Sequence, residues 1–174
     1  MHAVKFSGRL MAFVVAGVGA WMGSLSDGVA WAAPKTSCTL DGTSVMAFGT
    51  YDPMGNVDVD AQGQVSYRCG NGNNVRGGGI GKGRLVVQIS LSAGNAGNFQ
   101  RYMQGPRDRM NYNLYMDAPR SQIWGDGTGG TRIYSEKAQP NNHVTTVPVF
   151  GRITGAQDVS VGQYLDNLVV TLNY

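Results

Sequence analysis

From Gly162 to Tyr174 the chain alternates so regularly that one kind of local structure suits it best. Tyr164, Leu168, Val170, Leu172 and Tyr174 fall on one face, while Asn167, Val169, Thr171 and Asn173 fall on the other. A period of two is the pattern of a β-strand packed on a core from one side. The given sequence stops on this strand's last aromatic residue, so the strand is expected to lie at an open edge. In a sandwich outside the cytoplasm, such an edge is covered internally or reserved for a strand from another chain.

Further strands are expected upstream, punctuated by glycine, asparagine and proline. Ser37 to Phe48 carries Cys38, Leu40, Val45 and Phe48; Gly63 to Cys69 alternates, with Val65, Tyr67 and Cys69 inward. Arg84 to Ser92, Met110 to Asp117 and His143 to Ile153 follow, and the terminal strand makes six. Pro148 cannot donate to a ladder, which predicts an edge or a bulge there. With 26 glycines, about twice the usual frequency, and almost no helical periodicity, the class is all-β. Periodicity leaves both a sandwich and a barrel open. The glycine-rich stretches Gly70 to Gly83 and Trp124 to Thr131 read as surface connections.

At the other end, Lys5 and Arg9 precede an apolar run from Leu10 through Leu25 and then Val29-Ala30-Trp31-Ala32, the layout of a secretory signal peptide. The run is short and glycine-rich for a span of about 30 Å of hydrocarbon, so no stable membrane insertion is expected. Cleavage after Ala32 divides the chain into a signal peptide, 1–32, and one domain, 33–174. Val18-Gly19-Ala20 offers a second site. The formal charge of +3 falls by one when Lys5, Arg9 and Asp27 are removed, too mild a balance to argue for nucleic acid. Arg76, Lys82 and Arg84, and again Arg101, Arg107 and Arg109, read as solvated loop residues. Cys38 and Cys69 are the only cysteines, and an even count in an oxidising compartment implies one disulfide, worth roughly 3 to 4 kcal/mol in the chain-entropy model.

No motif points to catalysis, a cofactor or a metal. The run from Gly77 to Lys82 lacks a phosphate loop's first glycine and its Ser or Thr, since Arg76 and Gly83 stand there. Asp126-Gly127-Thr128-Gly129 reads as a turn without a second carboxylate copy, Asp58 and Asp60 as exposed strand carboxylates, and His143 as a solvated turn residue. Trp124 and the tyrosines motivate a carbohydrate-binding module as a lesser reading.

The ordered set Cys38-Thr39-Leu40, Phe48-Gly49-Thr50-Tyr51-Asp52-Pro53, the Gly63 to Cys69 strand, Tyr112-Asn113-Leu114-Tyr115-x-Asp117, Trp124-Gly125-Asp126-Gly127, Pro148 to Ile153 and Gly162 to Tyr174 resembles the spore coat protein U domain. That domain is shared by subunits of archaic chaperone-usher pili. The resemblance implies an immunoglobulin-like β-sandwich lacking its last strand, completed first by a periplasmic chaperone and then by a neighbouring subunit, with an outer-membrane usher as the third partner. Val45, Phe48, Leu168, Val170, Leu172 and Tyr174 would then line the acceptor edge. The implied product is a non-enzymatic subunit, secreted through the periplasm into a cell-surface pilus. With cleavage after Ala32, Ala33 to Ser37 is too short and insufficiently apolar to be a donor strand, which places the subunit at or near the fibre tip. Cleavage after Ala20 would leave Trp21, Leu25, Val29 and Trp31 on one parity and make it a shaft subunit. A stand-alone secreted coat or matrix protein that closes its own edge is the alternative.

Overall fold

In the computed structural model, residues 2–10, 36–71, 85–139 and 142–174 are described. The described residues form ten strands: β1 (His2–Leu10), β2 (Thr36–Thr43), β3 (Met46–Gly49), β4 (Val59–Asn71), β5 (Val86–Leu91), β6 (Tyr102–Gln104), β7 (Arg109–Tyr115), β8 (Tyr134–Lys137), β9 (Val144–Ile153) and β10 (Leu165–Asn173). The one helical turn among the described residues is Gly94–Ala96. No helix among them is long and apolar enough to cross a membrane.

Hydrogen-bonded neighbours run β2-β4-β9-β7-β6-β10-β1-β3, with β5 on β10 and β8 on β5. The path folds into two layers, β2-β4-β9-β7 in one and β3-β1-β10-β5-β8 in the other, bridged by β6. Each inner face is built by alternation. Val65, Tyr67 and Cys69 from β4, Val147, Val149 and Ile153 from β9, Val87, Ile89 and Leu91 from β5, and Leu168, Val170 and Leu172 from β10 are all buried. Phe48 of β3 meets Tyr112 of β7 edge to face across the layers, with ring centroids 6.0 Å apart. Gly151 of β9 makes room for this contact, since a Cβ there would come within 2.7 Å of the Phe48 ring.

Cys38 and Cys69 are direct cross-strand partners in the β2–β4 ladder, their Cα atoms are 4.1 Å apart, and they are joined by a disulfide. β9 pairs with β4 along its whole length but with β7 only from Phe150 onward, so at Pro148 its β7 side is open and the missing amide costs no ladder bond there.

Sequence expectations change both in the first strand region and at Trp124. Residues 37–48 form two strands: the β2–β4 register shifts between Leu40 and Gly42, and Ser44 is tied to Gln64 by a reciprocal pair of hydrogen bonds, the Ser44 amide to the Gln64 carbonyl at 3.0 Å and the Gln64 amide to Ser44 Oγ at 2.7 Å. Met46 and Phe48 turn inward with the same parity as Cys38 and Leu40, and Val45, of the opposite parity, stays 58 % exposed. Trp124 is fully buried, its indole N–H donating to the Ile89 carbonyl at 2.9 Å, which removes it as an exposed sugar platform.

Candidate strand-acceptor site

β3 and β10 belong to the same layer but do not pair with each other; a gap one strand wide separates them, and β1 fills it. Along β10 the pairing is parallel and unbroken, from Ala3↔Leu165 to Leu10↔Leu172. Along β3 it is antiparallel, with His2↔Gly49, Ala3↔Ala47 and Val4↔Met46. Residues 11–35 join β1 to β2, and they lie outside the described residues, as do the apolar run after Leu10 and both expected cleavage sites.

The floor of the gap comes from inward residues of its two flanking strands. Phe48 and Met46 project from β3, and Leu168, Val170 and Leu172 from β10, all buried; Tyr174, one residue past β10, is half-buried against the same core. Of the expected acceptor residues, the structure therefore gathers Phe48, Leu168, Val170, Leu172 and Tyr174 around one cleft. Val45 sits outside it, at the exposed turn before β3, and Met46 takes the place expected of it. At the end of the cleft where β10 begins lies a hollow of about 280 Å³ lined by Tyr51, Pro53, Met110, Val159, Val161 and Tyr164.

The first inward position of β10 is a carboxylate, and a polar network explains why it is tolerated. Asp166 is 1 % exposed and accepts hydrogen bonds from the Tyr112 hydroxyl at 2.7 Å and from the Asn95 and Asn167 amides at 2.9 and 2.7 Å. Burial raises its pKa, against the opposing pull of those three donors and of the Arg101 charge. Gly94, at a φ of 65°, lets the helical turn approach so closely that any Cβ there would overlap the carboxylate. Burial beside that carboxylate in turn pushes the Tyr112 hydroxyl pKa up.

Next to it Arg101 is fully buried, contrary to the solvated-loop expectation. Its guanidinium donates to the Ser92 carbonyl at 2.8 and 3.1 Å, to the Trp124 carbonyl at 2.8 Å and to Asn113 Oδ1 at 2.9 Å. It thus satisfies loop carbonyls that no strand reaches. Burial brings its pKa down to about 10, short of losing its charge at neutral pH, with Tyr112 and Asp166 opposing.

Asp166 shares the parity of Tyr164, Leu168 and Val170, so the period of two marks it as inward although it is a carboxylate. The alternation Val4, Phe6, Leu10 against Lys5, Ser7, Arg9 is likewise visible in the sequence, directly ahead of the apolar run that reads as an export signal. Arg101 left no such trace, because the carbonyls it serves are brought together only by folding.

The remaining candidates take ordinary structural roles. Asp60 is held by Arg152 at 2.8 and 3.0 Å and lies 3.2 Å from Arg120, while Asp58 lies 3.3 Å from Arg152. Asp126 accepts from the Thr128 amide and hydroxyl as a turn-capping group. His143 is exposed just before β9. The Gly77 to Lys82 run, with Arg76 and Arg84, lies outside the described residues.

A family model described as the Spore Coat Protein U domain matches residues 28–171. No curated protein matches the chain. Among solved structures, the chain is similar to one described as the CsuC-CsuE chaperone-tip adhesion subunit pre-assembly complex from archaic chaperone-usher Csu pili of Acinetobacter baumannii, at 20 % identity and a TM-score of 0.50. The similarity covers 80 % of this chain and 40 % of that one, so this chain matches about two fifths of the length of its structural relative. What the two share is the all-β, immunoglobulin-like architecture.

Proposed function

The chain belongs to the Spore Coat Protein U domain family, and from that premise we propose that it is a non-enzymatic subunit of an extracellular chaperone-usher pilus, completed by a strand supplied from outside its mature domain. One observation carries the reading. Between β3 and β10 the domain 33–174 leaves a gap one strand wide, and the strand that fills it, β1, comes from the segment expected to be removed on export. Without β1, the facing edges of β3 and β10 would expose unpaired amides and carbonyls beside Phe48, Leu168, Val170 and Leu172. A donated strand would satisfy them. Four or five apolar anchors at ~1.5 to 3 kcal/mol each, before ordering costs, together with the main-chain bonds, would make such a complex very tight.

The partners are then a periplasmic chaperone, an outer-membrane usher and a neighbouring subunit, along the route from periplasm to cell-surface pilus. Co-expression tests this. Exported alone, the chain is expected to aggregate or be degraded, and with its chaperone it is expected to accumulate as a one-to-one complex. A processed protein that is stable and monomeric by itself would overturn the reading.

Position in the fibre follows from the signal cleavage site. An N-terminus at Ala33 leaves five residues before Cys38, a reach of about 16 Å without apolar alternation, which cannot donate a strand and suits a tip or near-tip subunit. An N-terminus at Trp21 would make it a shaft subunit. Sequencing the secreted form from its N-terminus decides between them. The pairing of β1 favours one alternative, a secreted coat or matrix protein that keeps residues 2–10 and closes its own edge. A secreted form beginning at or near Met1 would be its signature.

A further inference from the structure

We infer that the hollow between the β5–β6 loop and the loop leading from β7 to β8 is a binding site for a neutral saccharide. The site is separate from the strand cleft. β10 pairs with β1 along one edge and with β5 and β6 along the other, and Ser92 extends that second side, its amide donating to the Val169 carbonyl at 2.9 Å. The hollow is therefore open whichever strand lies between β3 and β10.

Its volume is about 720 Å³, inside the roughly 300 to 1,000 Å³ of small-molecule sites. Ser92, Asn98, Phe99 and Gln100 line it from one loop, Asp126 and Thr128 from the other. Both walls are fixed by the protein itself. Arg101, fully buried, donates to the Ser92 carbonyl of one wall and to the Trp124 carbonyl of the other, and its guanidinium carbon lies 5.0 Å from the Phe99 ring centroid. Asn113 Nδ2 donates to the Phe99 carbonyl at 2.8 Å. On the facing loop, buried Thr131 donates to the Thr128 carbonyl at 2.7 Å and accepts from the Gly127 amide at 3.1 Å. A buried charge thus joins the two loops, and a hollow already formed avoids most of the ordering cost of binding.

The lining groups match a partner rich in hydroxyls. The Thr128 amide and hydroxyl both donate to Asp126 Oδ1, at 2.9 and 2.6 Å, which leaves acceptor capacity on the carboxylate. Those bonds, the hydroxyl's first, hold Asp126 below the usual carboxylate range, so it is an ionised acceptor at neutral pH. Asn98 Oδ1 accepts from the Gln100 amide, and among the described residues the side-chain NH2 groups of Asn98 and Gln100 meet no acceptor. Ser92 Oγ accepts from the Gly94 and Val169 amides and keeps its proton to donate. A sugar ring lays its C–H face on half-buried Phe99 and presents hydroxyls around its rim, each able to donate and to accept. Other classes fit less well. An anion would meet Asp126, a cation would find a single carboxylate backed by Arg101, and a wholly apolar molecule would displace water from Asn98 and Gln100 without replacing its hydrogen bonds.

The test uses the full exported chain, in its chaperone complex or as the free monomer where that is the stable form, with the chaperone alone as the blank. The probes are immobilised oligosaccharides of glucose, galactose, mannose and N-acetylglucosamine, beside sialylated and sulfated counterparts. Neutral members are expected to be retained in preference to acidic ones. Asp126→Asn keeps an oxygen for Thr128 and is expected to weaken retention about tenfold, the loss of one charge-assisted bond. Gln100→Ala is expected to weaken it roughly fivefold, and because that side chain is exposed and ties no loop, it decides the matter even if Asp126→Asn disturbs the fold. Asp117→Asn alters a similar turn-capping carboxylate outside the hollow, bonded by Ser121 and Gln122, and is expected to leave retention unchanged.

Retention of neutral sugars with both losses supports the site. No retention of any neutral oligosaccharide would overturn it, as would a preference for the acidic members. Retention unaffected by either pocket substitution, or lowered equally by Asp117→Asn, would overturn it too. None of these outcomes bears on strand acceptance, which the chaperone complex reports separately.

Discussion

The two layers of this sandwich close in opposite ways. In the β2-β4-β9-β7 layer, β4 pairs with β9 from Val59↔Ile153 to Arg68↔Val144, and a disulfide locks β2 onto β4 at directly opposed residues. Every edge contact there is made within the domain, antiparallel. In the other layer, β3 and β10 face a gap that only a parallel strand from the far N-terminus fills. The contrast teaches where this fold is self-sufficient. One layer closes through ladders among its own strands and a disulfide, and the other closes through β1.

The comparison breaks most readily at the floor of the cleft. Leu172 is fully buried on β10, so Leu172→Ala is expected to lower stability by about 2 to 5 kcal/mol in urea unfolding and to weaken retention of a bound strand. If strand retention were unchanged, β10 would not be the acceptor wall. The stapled layer should respond differently. Replacing Cys38 and Cys69 together by alanine is expected to cost roughly 3 to 4 kcal/mol while leaving strand uptake by the cleft intact once the protein is folded. Loss of uptake in a folded double variant would mean that the layers are not independent.

A smaller effect separates the carboxylates of the two regions by pH. Asp60 is held below the usual carboxylate range first by its hydrogen bond from Arg152, and Asp117 and Asp126 by hydrogen bonds from Ser121 and Thr128. The stability they contribute is present above the ordinary carboxyl pKa of 3.8 and is lost as pH falls through their lowered values. Asp166 runs the other way: its pKa is raised by burial, so its favourable contribution is complete below 3.8 and is lost as pH rises through the raised value. Acidification therefore costs the exposed ion pairs and turns while relieving the buried site. Asp166→Asn removes that relief, and its melting temperature is expected to fall more steeply than that of the parent as pH is lowered toward the ordinary carboxyl value of 3.8. Parallel curves would show that Asp166 titrates like an exposed group.

The smallest expected effect is at Val45. Outside the cleft and more than half exposed, it should tolerate Val45→Ser within about 0.5 kcal/mol and without change in strand uptake, whereas Met46→Ser on the inward face should impair both. Equal losses at the two positions would restore Val45 to the acceptor wall.

Much of the frame was legible beforehand, for a physical reason that particular strands show. β10 and the second half of β4 could be read because one face of each meets a core and the other meets solvent, which writes a period of two into consecutive residues. The disulfide was legible because two cysteines in an oxidising compartment have one partner each. β6 and β8, three and four residues long, escaped, since such short segments carry too few repeats to show a period. Residues 37–48 looked like one strand because the break at Ser44 depends on Gln64, twenty positions away, and nothing local announces it.

By itself, then, the sequence determined the all-β class, the inward faces of its long strands, the pairing of Cys38 with Cys69, and the ordered motifs of its family. Tertiary structure alone decided which strands became neighbours. It set β1 between β3 and β10 and buried Arg101 under carbonyls from Ser92 and Trp124. The division has a physical cause. Alternation is a property of adjacent residues and survives in one dimension, but a ladder's partner, a guanidinium's acceptors and a gap between two edges are fixed by backbone groups far apart in the chain. They exist only once the layers have closed.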